Sequence, residues 1–351
     1  MSLQESPLIY DLSFSGIEEI VLNLGEPSFR AKQIWQGIYK NLWQTPDDFS
    51  NLSKSFRQKL SQTLRFTSLT PERKLESSDG ATTKYLMRLP DGNSIETVLM
   101  MYKERRTICI STQVGCALGC VFCATGQMGF IRNLSTGEIV EQVLFFAQKL
   151  KDKGDHLTNV VVMGMGEPFN NYDATLSAIT RLNDSQGFNM GERRFTISTV
   201  GLTPAINRFA EEKRQINLAI SLHAANDLSR DSLLPINRKY PLRELIKAVK
   251  YYTNMTSRRV SFEYALIHDK NDSTEDALEL AYLLKGLLCH VNIILLNPTD
   301  NFTGKAASKQ NADAFRKCLV AKGISCTIRL RRGMDIKAGC GQLATSIQNK
   351  K

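Results

Sequence analysis

Within Cys116-Ala117-Leu118-Gly119-Cys120-Val121-Phe122-Cys123, three cysteines share one short stretch of chain. Thiolates this close together can hold three corners of an iron–sulfur cubane and leave the fourth iron without a protein ligand, free to chelate a small molecule. A structural zinc site would need a fourth ligand nearby, and the stretch contains no His; an electron-transfer cluster would need a fourth Cys. The other cysteines, at 109, 289, 318, 326 and 340, are scattered. The opening Met1-Ser2-Leu3-Gln4-Glu5-Ser6-Pro7 lacks the basic and apolar regions of an export signal, so the thiols are expected to stay reduced in the cytoplasm. A tight Cys group then points to a metal or to catalysis, and scattered cysteines to small buried side chains.

Other residue types invite chemistry singly. Gly164 and Gly166 follow an apolar run and would let the backbone approach a ligand, with Glu167 placed to accept hydrogen bonds from an ammonium group. His223 ends another apolar run, where a lone histidine is ordinarily a hydrogen-bonded structural residue. Cys340 lies between Gly339 and Gly341 in a mixed polar segment, a setting for an accessible, mobile thiol. Cys109, in the apolar run that leads to the cysteine stretch, reads as core, and Glu96 in Ile95-Glu96-Thr97-Val98 as the solvent-facing member of an alternating strand.

The elements that must position these residues change character along the chain. From 105 onward, apolar strand-like runs at 108–111, 160–164, 195–200, 216–222, 260–267 and 291–296 alternate with helical patterns, among them 136–150, which Ser135 can cap, and 241–252. That alternation predicts an α/β fold with a curved parallel sheet and ligand sites at the C-terminal strand ends. Six βα units are too few for a closed eight-stranded barrel, so an incomplete (β/α)6 barrel is expected over 105–345. Residues 67–104 read as a β-hairpin, its strands 83–89 and 95–100 joined by Pro90-Asp91-Gly92-Asn93. Residues 1–66 read as a small helical module in which Ser28 caps a helix with Ala31, Trp35 and Ile38 on one face, and Leu52, Phe56, Leu60 and Leu64 recur at four-residue intervals.

At 351 residues and 42% hydrophobic, the chain can bury a substantial core without staples, and no run approaches the roughly 18 apolar residues of a membrane span. Lys and Arg number 45 against 35 Asp and Glu, a net charge of +10 that suits a polyanionic partner. The pairs Arg105-Arg106, Arg193-Arg194 and Arg258-Arg259 and the group Arg329, Arg331 and Arg332 suit phosphate contacts, and equally suit solvated surface.

The three-cysteine stretch resembles that of the radical S-adenosylmethionine (SAM) superfamily. More narrowly, 113–126, Met163-Gly164-Met165-Gly166-Glu167-Pro168, Ser198-Thr199-Val200-Gly201, Ser221-Leu222-His223, Gly339-Cys340-Gly341-Gln342-Leu343, 29–34 and Leu234-Pro235-Ile236-Asn237 together are similar to the RlmN/Cfr family of RNA methyltransferases, over nearly the whole chain. The resemblance implies a [4Fe–4S] cluster on Cys116, Cys120 and Cys123 and two molecules of S-adenosylmethionine per turnover. It assigns Gly166, Glu167, Ser198, Ser221, Leu222, His223 and Asn297 to the cofactor, and Glu96 to the substrate adenine as proton acceptor. Cys340 matches the cysteine that is S-methylated, and Cys109 the thiol that resolves a covalent protein–RNA intermediate and leaves a disulfide; Cys289, Cys318 and Cys326 match nothing. The implied product is RNA methylated at adenine C2, in 23S rRNA and tRNA, made by a monomer with no membrane association and an electron donor such as flavodoxin or ferredoxin. A related enzyme methylating C8 is the alternative, although Pro168 and Arg331-Arg332-Gly333-Met334-Asp335-Ile336 look more like the C2 enzymes. A non-catalytic iron–sulfur or zinc RNA-binding module would explain the charge and the cysteines, but gives Glu167 and Cys340 no role.

Overall fold

The computed structural model describes residues 6–344. Most of the opening heptapeptide and residue 345, the expected end of the barrel region, lie outside the described residues. The chain begins with α1 (Phe14–Asn23), α2 (Phe29–Tyr39) and α3 (Lys54–Thr63). Ser13 and Ser53 cap α1 and α3, their hydroxyls accepting from Gly16 N at 3.1 Å and Phe56 N at 3.2 Å. Ser28 does not cap α2 as expected: its own backbone is already helical, φ −55° and ψ −31°, and its side chain takes no backbone N–H. The cap must stand in extended conformation for its oxygen to reach back to the first turn. Ala31, Trp35 and Ile38 are buried, as are Leu52, Phe56, Leu60 and Leu64, of which α3 itself carries only Phe56 and Leu60.

The expected hairpin is a three-stranded antiparallel extension, β1 (Thr70–Glu76), β2 (Thr82–Arg88) and β3 (Ser94–Met101). Thr70-Pro71-Glu72-Arg73-Lys74-Leu75-Glu76 is exposed at every position but Leu75, so β1 carried no hydrophobic signal. β3 pairs antiparallel with β4 (Arg106–Cys109), which makes the extension continuous with the main sheet. A separate hairpin, β5 (Gln113–Gly115) and β6 (Phe130–Asn133), brackets the cysteine stretch and the short α4 (Ala124–Gln127).

The main sheet then runs in parallel through β7 (Asn159–Val162), β8 (Phe195–Thr199), β9 (Asn217–Ser221), β10 (Val260–Leu266), β11 (Cys289–Leu295) and β12 (Cys326–Ile328). α5 (Thr136–Lys151) precedes β7, and between the strands lie α6 (Tyr172–Asn183), α7 (Thr203–Glu211), α8 (Asp227–Leu233), α9 (Leu242–Thr256), α10 (Thr274–Leu283) and α11 (Lys309–Ala321). The order β1-β2-β3-β4-β7-β8-β9-β10-β11-β12 leaves both edges unpaired, an open curved sheet rather than a closed barrel. Beyond the six expected strands, β12 adds a seventh parallel one, too short and too exposed to show an apolar run. Ser135 caps α5 in a reciprocal box with Glu138, as its spacing predicts. Ile139, Val140, Val143, Leu144 and Phe146 on α5 are buried, each contributing about 1.5–3 kcal/mol by leaving water. No helix among the described residues is long and apolar enough to cross a membrane.

Candidate active site

Local backbone geometry dictates the shape of the cysteine loop. Gly115 has φ +72°, and a Cβ there would sit 1.9 Å from the Gly129 carbonyl oxygen, so only glycine lets β5 close on β6 ahead of Cys116. Cys116 N donates to Gly129 O at 2.9 Å, and Val121 N donates to Leu233 O at 3.1 Å, which ties the loop to the end of α8. Gly126 packs against Cys120, where a Cβ would lie 3.0 Å from Cys120 N. Cys116, Cys120 and Cys123 all face one cavity of about 980 Å³, open to solvent, at the C-terminal ends of the parallel strands.

Burial pushes the Cys116 thiol up to about 12 and the Cys120 thiol well above its usual value. Buried thiolates therefore need a cationic centre to hold them. Among the described residues, the group whose ligand atoms all lie within 4.8 Å of one another is His268, Asp269 and Asp272, so the three loop sulfurs are spread more widely. A single zinc at about 2.3 Å from each sulfur would draw them closer, whereas a cubane offers each its own iron. Replacing Cys116, Cys120 or Cys123 by Ala should abolish cluster loading. Anaerobic reconstitution followed by iron analysis and visible absorbance measures this, and an intact cluster in any of the three would remove the site.

The same cavity is lined by Gly166, Glu167, Ser198, Ser221, His223 and Asn297. Glu167 is 2% exposed, and its two oxygens accept from Phe169 N and Val200 N, both at 3.0 Å. Burial raises it to about 7 against those bonds, and among the described residues it has no cationic partner; an ammonium group in the cavity would supply one. Asn297 Oδ1 is a buried acceptor with no donor, while its Nδ2 donates to Cys340 O at 3.0 Å. An ammonium group beside Glu167 and Asn297 fits both unmet requirements, as the cation for one and the donor for the other. Ser198 and Ser221 hydroxyls lie 3.3 Å apart at the ends of β8 and β9.

Gly164 and Gly166 both line the cavity, and they serve a second purpose besides the expected one. Added Cβ atoms would meet Ile110 O at 2.6 Å and Gln113 Cβ at 2.5 Å, so these glycines let β7 approach the chain leading into the cysteine loop. His223 is both cavity wall and structural residue: at φ +60° its Nδ1 accepts from Ala265 N at 3.0 Å, and burial lowers it to about 3, which keeps the ring neutral with its proton on Nε2. Leu222 does not reach the cavity. Its side chain is buried, its N–H is taken by Glu263 O, and its carbonyl by Arg230 Nε.

Cys340 is exposed on the wall of this cavity and of a neighbouring one of about 710 Å³. Cys109, buried at the end of β4, lines the second cavity. The structure thus brings together two cysteines 231 positions apart, both as free thiols. Burial and the neighbouring Cys340 push Cys109 up to about 12; desolvation by the protein around the cavity wall also raises Cys340, although the residue keeps its access to solvent, and Arg329 acts in the opposite direction. Main-chain bonds dock the Cys340 segment: Ala124 N donates to Gly341 O at 2.7 Å and Thr125 Oγ1 to Leu343 O at 2.6 Å.

Glu96 departs from the strand-alternation expectation. It is 6% exposed rather than solvent-facing, and it lines a third cavity of about 1210 Å³. Lys84 Nζ pairs with Oε1 at 2.9 Å and Ala344 N donates to Oε2 at 3.1 Å, so the carboxylate holds the end of the Cys340 segment.

Sequence reading missed several residues of the site. Glu263 on β10 is buried, faces the first cavity, and pairs with Arg329 at 3.2 Å, an ion pair opposite Cys340. An acid inside the apolar run 260–267 was the available signal. Arg230 was not singled out, although it lies four residues before Leu234-Pro235-Ile236-Asn237. The arginine pairs are spent differently: Arg258 bonds Gln215 and Asn217 at the N-terminal end of the sheet, opposite the cavities, and Arg106 pairs with Asp155. Arg332, by contrast, stacks on Tyr102 at the rim of the second cavity.

A family model described as the radical SAM superfamily matches residues 110–281, and one described as the ribosomal RNA large subunit methyltransferase N-terminal domain matches residues 9–65. The chain is 46% identical to the probable dual-specificity RNA methyltransferase RlmN of Chloroflexus aurantiacus, across 97% of this chain and 93% of that protein. It is 44% identical to the dual-specificity RNA methyltransferase RlmN 1 of Myxococcus xanthus, across 100% and 98%. A crystal structure of a radical SAM methyltransferase from Sphaerobacter thermophilus superposes with TM-score 0.94 at 50% identity, covering 96% of this chain and 99% of that one.

Proposed function

The chain belongs to the RlmN family of radical SAM RNA methyltransferases, enzymes that use a [4Fe–4S] cluster and S-adenosylmethionine, and we propose that it methylates C2 of an adenine in 23S rRNA and tRNA through Cys340 and Cys109. The observation that carries this reading is the double exposure of Cys340, which faces the cavity of the cluster cysteines on one side and that of Cys109 on the other. One residue can therefore receive a methyl group beside the cofactor and meet the resolving thiol without crossing the fold.

C2 of adenine has neither an acidic proton nor a lone pair to attack a methyl sulfonium, so polar methyl transfer fails where addition of a carbon radical succeeds. Bound on Cys116, Cys120 and Cys123, the cluster with S-adenosylmethionine supplies one-electron cleavage to a carbon radical. The protein's own part is positional. Gly166, Glu167, Ser198, Ser221, His223 and Asn297 orient the cofactor, Glu167 taking its ammonium group; Leu222, whose backbone groups are already paired, contributes by fixing the end of β9. Cys340 accepts a methyl group, which gives up one hydrogen atom to the carbon radical, and the remaining methylene bonds to C2, so that Cys340 and the base are joined through a thioether. Once the C2 proton has left to a carboxylate, the role proposed for Glu96, and one electron has returned to the redox partner, the Cys109 thiolate attacks the Cys340 sulfur. The carbon–sulfur bond breaks, the freed carbon takes up a proton so that the base leaves methylated, and the two sulfurs form a disulfide. Glu96 must first release Ala344 N–H and Lys84.

Residues 1–66 are proposed as the RNA-binding accessory module, 67–104 as an extension, and 105–345 as the catalytic core, acting in the cytoplasm as a monomer fed by flavodoxin or ferredoxin. The test is anaerobic incubation of the reconstituted protein with S-adenosylmethionine, a reductant and either 23S rRNA or tRNA transcript, followed by nuclease digestion and mass spectrometry against standards. 2-Methyladenosine is expected; 8-methyladenosine or unmodified adenosine would overturn the assignment.

A further inference from the structure

The motif Leu234-Pro235-Ile236-Asn237 has no part in the chemistry above, yet its hydrogen bonds converge with others on one side chain. Arg230, on α8, is 1% exposed. Its Nε donates to Leu222 O at 3.0 Å, Nη1 to Asn237 Oδ1 at 2.7 Å, and Nη2 to the carbonyls of Val200 and Ser221. One guanidinium thus locks the ends of β8 and β9, which carry Ser198 and Ser221. Val121 N on the cysteine loop is bound by Leu233 O, and Cys120 packs in the small apolar cluster containing Leu233 and Leu234.

Satisfying these carbonyls does not by itself require a charge, and a buried cation costs several kcal/mol of desolvation unless an anion offsets it. Among the described residues no carboxylate pairs with Arg230 directly. Asp227 and Asp231 are reached through the Asn237 amide, whose Nδ2 donates to them at 2.9 and 2.7 Å. Asp227 and Asp231 act on the guanidinium electrostatically, and so does Cys120, whose loop is bonded to Leu233 and packed on Leu233 and Leu234, one helical turn along from Arg230. A cluster held by three thiolates is negative, and one electron makes it more so.

We propose that Arg230 is a positioning residue that supplies the buried positive charge against which the cluster is held and reduced, while it fixes the strand ends carrying the cofactor residues. This rests on the assignment of the cluster to Cys116, Cys120 and Cys123. Its electrostatic half separates from its structural half by substitution: Arg230→Gln keeps hydrogen bonding and loses the charge, whereas Arg230→Lys keeps the charge and loses the fork.

The experiment uses full-length protein reconstituted anaerobically with iron and sulfide, measures both elements, and titrates with dithionite while the reduced cluster is followed by electron paramagnetic resonance. At fixed potential and equal loading, the reduced-to-oxidised ratio should fall about tenfold in Arg230→Gln, the scale of one buried charge a few ångströms further than a bonded pair, and Arg230→Lys should recover most of it. A ratio in loaded Arg230→Gln equal to wild type, or one in Arg230→Lys as low as in Arg230→Gln, overturns the proposal. If Arg230→Gln takes up no iron, Arg230→Lys decides: near wild-type reduction with lowered thermal stability supports the charge, and a tenfold fall overturns it. Wild-type protein that takes up no iron would instead overturn the cluster assignment, a separate failure.

Discussion

Cys340→Ala should purify folded, take up its cluster normally, and transfer no methyl group to RNA. The bonds that dock the 339–344 segment are made by main chain and by other side chains: Asn297 to Cys340 O, Ala124 to Gly341 O, Gly339 N to Gln342 Oε1 at 3.0 Å, and Ala344 N to Glu96. None of these uses the Cys340 sulfur, and the side chain is exposed, so removing it costs little packing. What disappears is the atom that carries the carbon between the two cavities. Methylated nucleoside should fall below detection, while reductive cleavage of S-adenosylmethionine, read as 5′-deoxyadenosine by chromatography, continues at a reduced rate. Wild-type protein digested with trypsin should show one added methyl group on the peptide containing Cys340. A mutant with full activity, together with an unmodified wild-type peptide, would sink the thioether carrier.

The features legible in the sequence were those set by neighbours in the chain. Cys116, Cys120 and Cys123 sit on one loop, so their spacing alone announced a cluster. The six central strands showed as apolar runs because each keeps at least one face buried, while β12 and β1 left no pattern to read, being short or exposed. Features set by distant contacts were read incorrectly or only through family resemblance. Gly164 and Gly166 read as ligand-approach glycines and do line the cavity, but nothing local shows that they also admit Ile110 and Gln113, more than fifty positions earlier. Strand alternation put Glu96 in solvent, because no local rule reveals that Lys84 pairs across β2 and β3 or that residue 344 returns to cover it. Ser28 failed as a cap for a conformational reason that a residue type cannot convey. Arg230 was invisible as a functional candidate because a lone arginine in a helix reads as surface, and only the fold encloses it.

The same limit makes Cys109 the sharpest position in the protein, since its sequence reading and its placement lead to opposite outcomes. As a core residue, Cys109→Ala would remove one buried sulfur from β4 and cost about 1–3 kcal/mol, and activity would fall only as far as folding does. As the resolving thiol facing the same cavity as Cys340, it acts after every other step. Cys340 would still be methylated, the radical would still form, and the thioether would still reach the adenine, but nothing could attack the sulfur to release the base. Burial holds the Cys109 thiol near 12, so it is protonated at neutral pH and needs the arriving substrate or a nearby cation such as Arg329 to lose that proton. Cys109→Ala should therefore accumulate protein covalently joined to RNA. The adduct should survive denaturing electrophoresis, shrink on nuclease treatment, and vanish in the Cys109→Ala/Cys340→Ala double variant. Thermal melting run in parallel separates the two readings, because a packing defect lowers stability without producing an adduct. A folded Cys109→Ala protein that releases methylated RNA at the wild-type rate would return Cys109 to the core and require another group to break the carbon–sulfur bond.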